Sequence, residues 1–233
     1  LKAAGESLGR ARMKVALQVK KSVVRELQDL AMPGATFDVK WQNVEMAIGE
    51  LDFTCLEKPE LASLWQTCAE VLASVCHDGM ETAEFLLSSN PGEPAMPLVK
   101  IASGGELSRI MLALKKALVA DAETCVLVFD EIDSGISGRV ADVVGRKMQE
   151  LAHGFQVICI SHLPQVAVYA DNHFLVQKRA AKEKGNKVRT ESTLVRLSRE
   201  ESAQEIARLL SGQDVSPTSL ANAKALIQKA KKL

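Results

Sequence analysis

Aromatic residues are scarce in this 233-residue chain: two Trp, one Tyr and six Phe, 4% in all. A core must therefore be assembled from Leu, Val, Ile, Ala and Met, and a hydrophobic content of 47% supplies enough of them. Net charge is lacking too. Lys and Arg together number 29, as do Asp and Glu, so overall charge argues neither for nor against a nucleic-acid partner, and any phosphate-binding surface must be local. No apolar run approaches the roughly 20 residues of a membrane span, so no membrane partner is expected. The first residues, starting at Leu1 rather than Met, hold no signal-peptide apolar region, and the chain is expected to be part of a longer protein. The five cysteines, at 55, 68, 76, 125 and 159, form no CxxC pair, which fits a reducing, cytoplasmic compartment.

Three chemical signatures are also missing. No GxxxxGK[ST] stretch exists, so no loop offers the common phosphate cradle with its lysine. No GxSxG elbow exists at a strand-to-helix turn, the one such spacing, Gly5 to Gly9, falling inside a helical pattern, which disfavours a serine hydrolase. His153, His162 and His173 lack the spacing of a zinc site.

What is present begins with an unbroken helical pattern. Leu1, Ala4, Leu8, Ala11 and Val15 step by three and four like one strand of a coiled coil, and Val19, Val23, Leu27 and Leu30 continue the stripe with a drift. An ordinary amphipathic helix would show the same pattern. Met32-Pro33-Gly34 should end it, which divides the chain into a helical arm, 1–31, and a second part, 32–233. Residues 36–41 (TFDVKW) and 83–88 (AEFLLS) read as strands, 61–76 as a helix, and the proline- and glycine-rich 89–97 as a loop.

Beyond this loop the pattern sharpens. A helix is expected from Glu106 to about Ala120, then CVLVFD as a strand buried on both faces, then a helix with Val140, Val143, Val144, Met148 and Leu151 on one side, then QVICIS as a second buried strand. Strand, helix, strand is the parallel crossover unit of an α/β fold. HFLVQK and KVRTESTLVRL should form two further strands around a polar turn. Two helices close the chain, the first capped by Ser198 with Glu201 three residues on, the second opening at Pro217.

Chemistry concentrates at three places. Ser103 and Glu106 are spaced as a capping box, but a cap needs no glycines. Gly104 and Gly105 leave the first helical turn bare, where free N–H groups and the helix dipole favour an anion such as phosphate. A helix cap with a flexible entry accounts for the four residues equally well. Next, Asp130 and Glu131 follow an apolar strand at its C-terminal end, the edge where α/β sheets bind ligands. One carboxylate there suits Mg²⁺, held directly or through water, and a second suits a base. Two solvated acids at a strand end would look the same. Finally, Ser161 and His162 end the neighbouring strand and should emerge beside this pair, where a histidine suits contact with phosphate or water.

In this order the pieces resemble the C-terminal lobe of an ABC-type ATPase head of the SMC-like branch, preceded by a coiled-coil-like helix. More narrowly, NPGEP, KIASGGELSRIMLALK, FDEIDSGISGRVA and VICISHLPQVAVYAD resemble the RecN family of bacterial DNA repair proteins, mostly from Phe85 to Leu210. The resemblance implies an α/β lobe with a largely parallel sheet flanked by helices, working in double-strand break repair with ATP and Mg as cofactors. It implies that Ser103, Gly104, Gly105 and Glu106 form the signature motif facing ATP on the opposite head. Asp130 would be the Walker B ligand to Mg through water, Glu131 the catalytic base and His162 the switch histidine. Asp133 to Ser137, with Ser134 and Gly135 between them, would form the D-loop at the dimer interface, although Ser137 stands where many ABC proteins carry Asp.

The cradle would come from an N-terminal half of the same protein, so this chain alone would be inactive. The implied partners are that half, a second head across ATP, DNA and other recombination proteins, at a cytoplasmic, nucleoid-associated location. Lys178, Arg179, Lys182, Lys184, Lys187 and Arg189 around the polar turn, with Lys224, Lys229, Lys231 and Lys232 at the end, are the candidate DNA contacts; such clusters also occur as ordinary solvated surface. Two other readings are a dimerising or DNA-binding scaffold without turnover, and the head of another ABC-type ATPase such as a transporter subunit.

Overall fold

A computed structural model describes residues 2–43, 79–101, 103–118, 126–136, 138–182 and 188–231. The helix expected over 61–76 lies outside these residues. The chain divides into two compact units, Leu1–Ala102 and Ser103–Leu233.

The first unit opens with helix α1 (Lys2–Asp29), close to the expected bounds. Its exit is made before Pro33 is reached. Ala31 adopts the left-handed conformation, φ 61°, and the Met32 amide donates to the Leu27 carbonyl at 3.1 Å, the wrapped bond of a Schellman cap. The expected seam of α1 behaves differently along its length. Val23, Leu27 and Leu30 are buried, whereas Leu8 and Val15 are exposed.

Strand β1 (Thr36–Asn43) pairs antiparallel with β2 (Glu81–Ser88), which pairs with the short β3 (Met96–Pro97) inside the proline-rich loop. Phe37 and Phe85 pack with ring centroids 5.3 Å apart. A side chain at Gly9 would come within 2.5 Å of the Glu81 carboxylate, so the absence of Cβ is what lets helix and strand meet there.

The second unit carries α2 (Gly104–Leu118), β4 (Val126–Phe129), α3 (Gly138–Leu151), β5 (Gln156–Cys159) and the one-turn α4 (Pro164–Ala167). A hairpin of two nine-residue antiparallel strands follows, β6 (Phe174–Lys182) and β7 (Val188–Arg196), then α5 (Arg199–Ser211) and α6 (Pro217–Ala230). The α/β class is as expected. Strands β4 and β5 run parallel with Val126 opposite Gln156 and Phe129 opposite Cys159. They are the parallel part of the fold among the described residues, the other two sheets being antiparallel.

Burial of β4 and β5 on both faces is not met. Leu127 and Phe129 are buried, but Val126 and Val128 on the opposite face are 52% and 62% exposed, and Ile158 and Ile160 share that exposure. Apolar residues at every position report what a strand is built to contact, and among the described residues one face is covered. Ile110, Leu112, Ala113 and Leu114 of α2 and Ala141, Val144 and Met148 of α3 are buried as well, and the two helices pack on each other. A second cluster joins Val168 and Tyr169 to Ile206, Ala207, Ala223 and Ala230 of α5 and α6. Both closing helices have reciprocal capping boxes, Ser198 with Glu201 as expected and, beyond expectation, Ser216 with Ser219. The hairpin is tied to α5 through His173, whose carbonyl accepts from Leu197 at 2.9 Å and whose Nδ1 lies 2.8 Å from the Ser202 hydroxyl.

Candidate functional site

Parallel pairing settles which residues meet at the sheet edge. Because Phe129 faces Cys159 and the Ile160 amide donates to the Phe129 carbonyl at 2.9 Å, Asp130 and the Ser161-His162 pair leave their strands at the same end. The turn after β4 is closed by the Ser134 amide donating to the Glu131 carbonyl at 2.9 Å. Glu131 takes φ 54° to make it. A non-glycine residue held there costs on the order of 1–2 kcal/mol, and such strain gathers at functional positions. The Glu131 amide donates back to Asp130 Oδ1 at 2.9 Å.

Helix α2 grips this turn from its first two turns. Ser108 Oγ donates to the Asp130 carbonyl at 2.7 Å, and the buried Arg109 donates through Nη1 to the carbonyls of Ile132 and Ser134 at 3.3 and 2.9 Å. Burial holds the Arg109 guanidinium below its ordinary range, opposed by the Glu106 carboxylate. Sequence reasoning missed both residues as site elements. Nothing local marks them, since their partners lie more than 20 positions away.

The glycines have a contact of their own. A Cβ on Gly105 would meet Ser134 Cβ at 2.9 Å and the Glu131 carbonyl at 3.0 Å, and one on Gly104 would meet Glu131 Oε2 at 2.8 Å. Gly105 is buried and Gly104 exposed. The bare first turn therefore admits the 131–134 turn of the same chain, with the Glu131 carboxylate against Gly104. The cap forms as expected on one side, the Glu106 amide donating to Ser103 Oγ at 3.4 Å.

Asp133 is where the two strand ends join. It is 3% exposed, and its Oδ2 accepts from Ser161 Oγ at 2.6 Å and the His162 amide at 2.9 Å, with His162 Nδ1 at 3.2 Å. The His162 side chain itself is 75% exposed. Ser161 Oγ also accepts from the Leu163 amide at 3.1 Å. Beneath the edge, burial pushes the Cys159 thiol up to about 12, the nearby Asp133 and Asp130 carboxylates adding to the effect, so it serves as the small hydrophobe expected.

The structure thus brings Ser103, Gly104, Gly105, Glu106, Asp130, Glu131, Asp133, Ser134 and His162 onto α2 and the adjoining ends of β4 and β5. Gly135, at φ 72°, closes the turn, and Ser137 lies outside the described residues. Among the described residues no three His, Cys, Asp or Glu gather as a metal site. Asp130 is a single exposed carboxylate, the donor set of a cation that keeps its waters and completes its shell with substrate oxygens, so the residues present fit Mg²⁺ in that form.

The basic candidates are separate elements. Lys178 is exposed on β6, the register sets Arg179 opposite Glu191 and Ala181 opposite Arg189, and Lys182 ends the strand; Lys184 and Lys187 lie outside the described residues. Lys224, Lys229 and Lys231 are exposed at the end of the chain.

Comparison with known proteins decides the family. The chain is 38% identical over 224 residues to a DNA repair protein RecN from Halalkalibacterium halodurans, covering 96% of this chain and 34% of that protein. It is 47% identical over 150 residues to RecN of Treponema pallidum, covering 64% and 25%, and 35% identical over 206 residues to RecN of Bacillus subtilis, covering 88% and 33%. The chain belongs to the RecN family. It matches the C-terminal part of these relatives and spans about a third of the first one's length. No family model matches it. Among solved structures, the RecN-family chain is similar to an SMC head domain with an extended coiled coil from Pyrococcus furiosus, at 18% identity over 85% of this chain and 39% of that one, TM-score 0.44. Among the described residues no helix is long and apolar enough to cross a membrane.

Proposed function

We propose that this chain is the C-terminal lobe of an ATP-hydrolysing head in a RecN-family DNA repair protein, completed by an N-terminal part that supplies the phosphate cradle. The observation carrying this reading is the way α2 is bonded to the Asp130–Ser134 turn, which places a glycine-bearing helix start, an acidic pair and His162 on one framework. Phosphoryl transfer is mostly positioning and electrostatic stabilisation, so a framework of this kind supports it.

In this reading Ser103, Gly104, Gly105 and Glu106 face the γ-phosphate bound on a second head, so ATP joins two heads and hydrolysis releases them. Glu131 accepts a proton from the attacking water and His162 orients the reacting groups. Asp130 would hold Mg²⁺, which when bound would supply charge to offset that of the phosphates. Ser134 and Gly135 lie toward the head interface. The coiled-coil-like α1 relays head motion, the chain dividing functionally into an arm, 1–31, and a lobe, 32–233. DNA is the partner, held through the basic residues of the β6–β7 hairpin, with other recombination proteins docking on the whole molecule at the nucleoid. Contacts of this kind weaken steeply with salt.

The test is Mg-ATP hydrolysis by this chain alone and mixed with the matching N-terminal part. The expected result is silence alone and turnover on mixing. Glu131→Gln should then retain ATP binding while turnover falls about a hundredfold or more, the usual scale for losing an acid–base group. Turnover by the chain alone would place a phosphate site elsewhere in it. Silence on mixing, with the two parts associated, would leave a scaffold that dimerises or binds DNA without turnover.

A further inference from the structure

Asp133 combines deep burial with three neighbours on a single oxygen, Ser161 Oγ, the His162 amide and His162 Nδ1, at 2.6, 2.9 and 3.2 Å from Oδ2. The first two are hydrogen-bond donors. The third contact is attractive only if Nδ1 also carries a hydrogen, because a ring lone pair aimed at a carboxylate oxygen would be repelled. Which ring nitrogen is protonated follows from what the other side of the ring meets. We propose that Asp133 is the positioning residue for His162: it holds the imidazole in the Nδ1–H form and thereby presents Nε2 at the open side of the sheet edge.

This goes beyond an interface role for Asp133, and it rests on the ATPase reading only where turnover is concerned. The same oxygen bonds the His162 backbone and the preceding Ser161, so Asp133 sets both the position of residue 162 and the rotation of its ring. With Nδ1 engaged, Nε2 is the ring atom left to meet a water or a phosphate, and 75% exposure of the side chain leaves it accessible. Arg109, which bonds the carbonyls on either side of Asp133, fixes the backbone from which this carboxylate reaches.

The test is the tautomer of His162, read from two-bond proton–nitrogen NMR spectra of this chain labelled with 15N on histidine, at a pH where the ring is neutral. The chain has four histidines, and the His162 signals are assigned by their loss in His162→Gln. The expected result is a protonated Nδ1 and an unprotonated Nε2, reverting in Asp133→Asn toward the Nε2–H form that a free imidazole prefers. Ser161→Ala removes a different bond to the same oxygen, so it should lower stability yet leave the tautomer in place. An Nε2–H ring in the parent chain, or one indifferent to Asp133→Asn while still folded by circular dichroism, overturns the proposal.

In the mixed, ATP-hydrolysing form, Asp133→Asn and His162→Gln should each lower turnover about a hundredfold, and the double variant should fall no further. Full turnover in His162→Gln would remove the histidine from the reaction while leaving the ATPase assignment standing, and the NMR result would still decide what Asp133 does.

Discussion

Gly104 and Gly105 adjoin in sequence yet face different obstacles, which lets them be separated by experiment. At Gly105 a methyl group would press on Ser134 Cβ and the Glu131 carbonyl, atoms of a turn already held by Arg109. Gly105→Ala should cost about 1–3 kcal/mol, as overpacking does, lowering the melting temperature by about 2–4 °C per kcal/mol in a chain of this size. At Gly104 the obstacle is Glu131 Oε2, the end of a movable side chain. Gly104→Ala should therefore leave thermal unfolding nearly unchanged while moving the carboxylate, and in the mixed ATPase assay turnover should fall. Equal melting losses for the two variants would show that the turn, rather than the Glu131 side chain, limits both sites. Asp130, Glu131 and His162 were legible in the sequence because each ends an apolar run, a local signal. Asp133 entered only through the family resemblance, as an interface residue, and Ser108 and Arg109 did not enter at all, because what ties these three to the site is a partner more than 20 residues distant.

Elements were read well where a period or a cap was present. Helix α1, the crossover through β4, α3 and β5, the hairpin and the Ser198 cap all rest on repeats and spacings within a few residues. Ser216 with Ser219 escaped because the second cap residue is a serine instead of the usual Glu or Gln. The junction of the hairpin with α5 shows what no pattern announces. Burial at His173 holds its imidazole below the ordinary histidine range, the Glu205 carboxylate pulling in the opposite direction. The folded form then binds a proton less readily than the unfolded chain, so stability contributed by neutral His173 is present above the unfolded value near 6.5. It is lost as the pH falls below that value, where the unfolded chain gains a proton that the folded site resists. His173→Gln, which retains a polar partner for Ser202, should flatten the rise of melting temperature from about pH 5 to 7. An undiminished slope would assign the pH dependence to another group.

At the scale of the molecule, the open face of the β4–β5 pair leaves contiguous apolar surface to solvent among the described residues. Val126, Val128, Ile158 and Ile160 lie side by side on it, each about half exposed, and contiguous apolar surface of this kind marks a contact site. The chain spans about a third of its RecN relative from Halalkalibacterium halodurans; under the proposed function the N-terminal part is the cover, and both strands still have edges free to pair among the described residues. A carboxylate at the centre of this face separates folding from assembly. Val128→Glu points away from Leu127, Phe129 and the α2–α3 packing, so the melting temperature of the isolated chain should change little. Association with the matching N-terminal part should weaken at least tenfold, about 1.4 kcal/mol, because a buried, unpaired carboxylate opposes closure. Ultracentrifugation of the mixed parts reads this directly. Unimpaired association would mean that the cover comes from elsewhere, whereas unfolding of the isolated variant would mean that Val128 already serves the core of this unit.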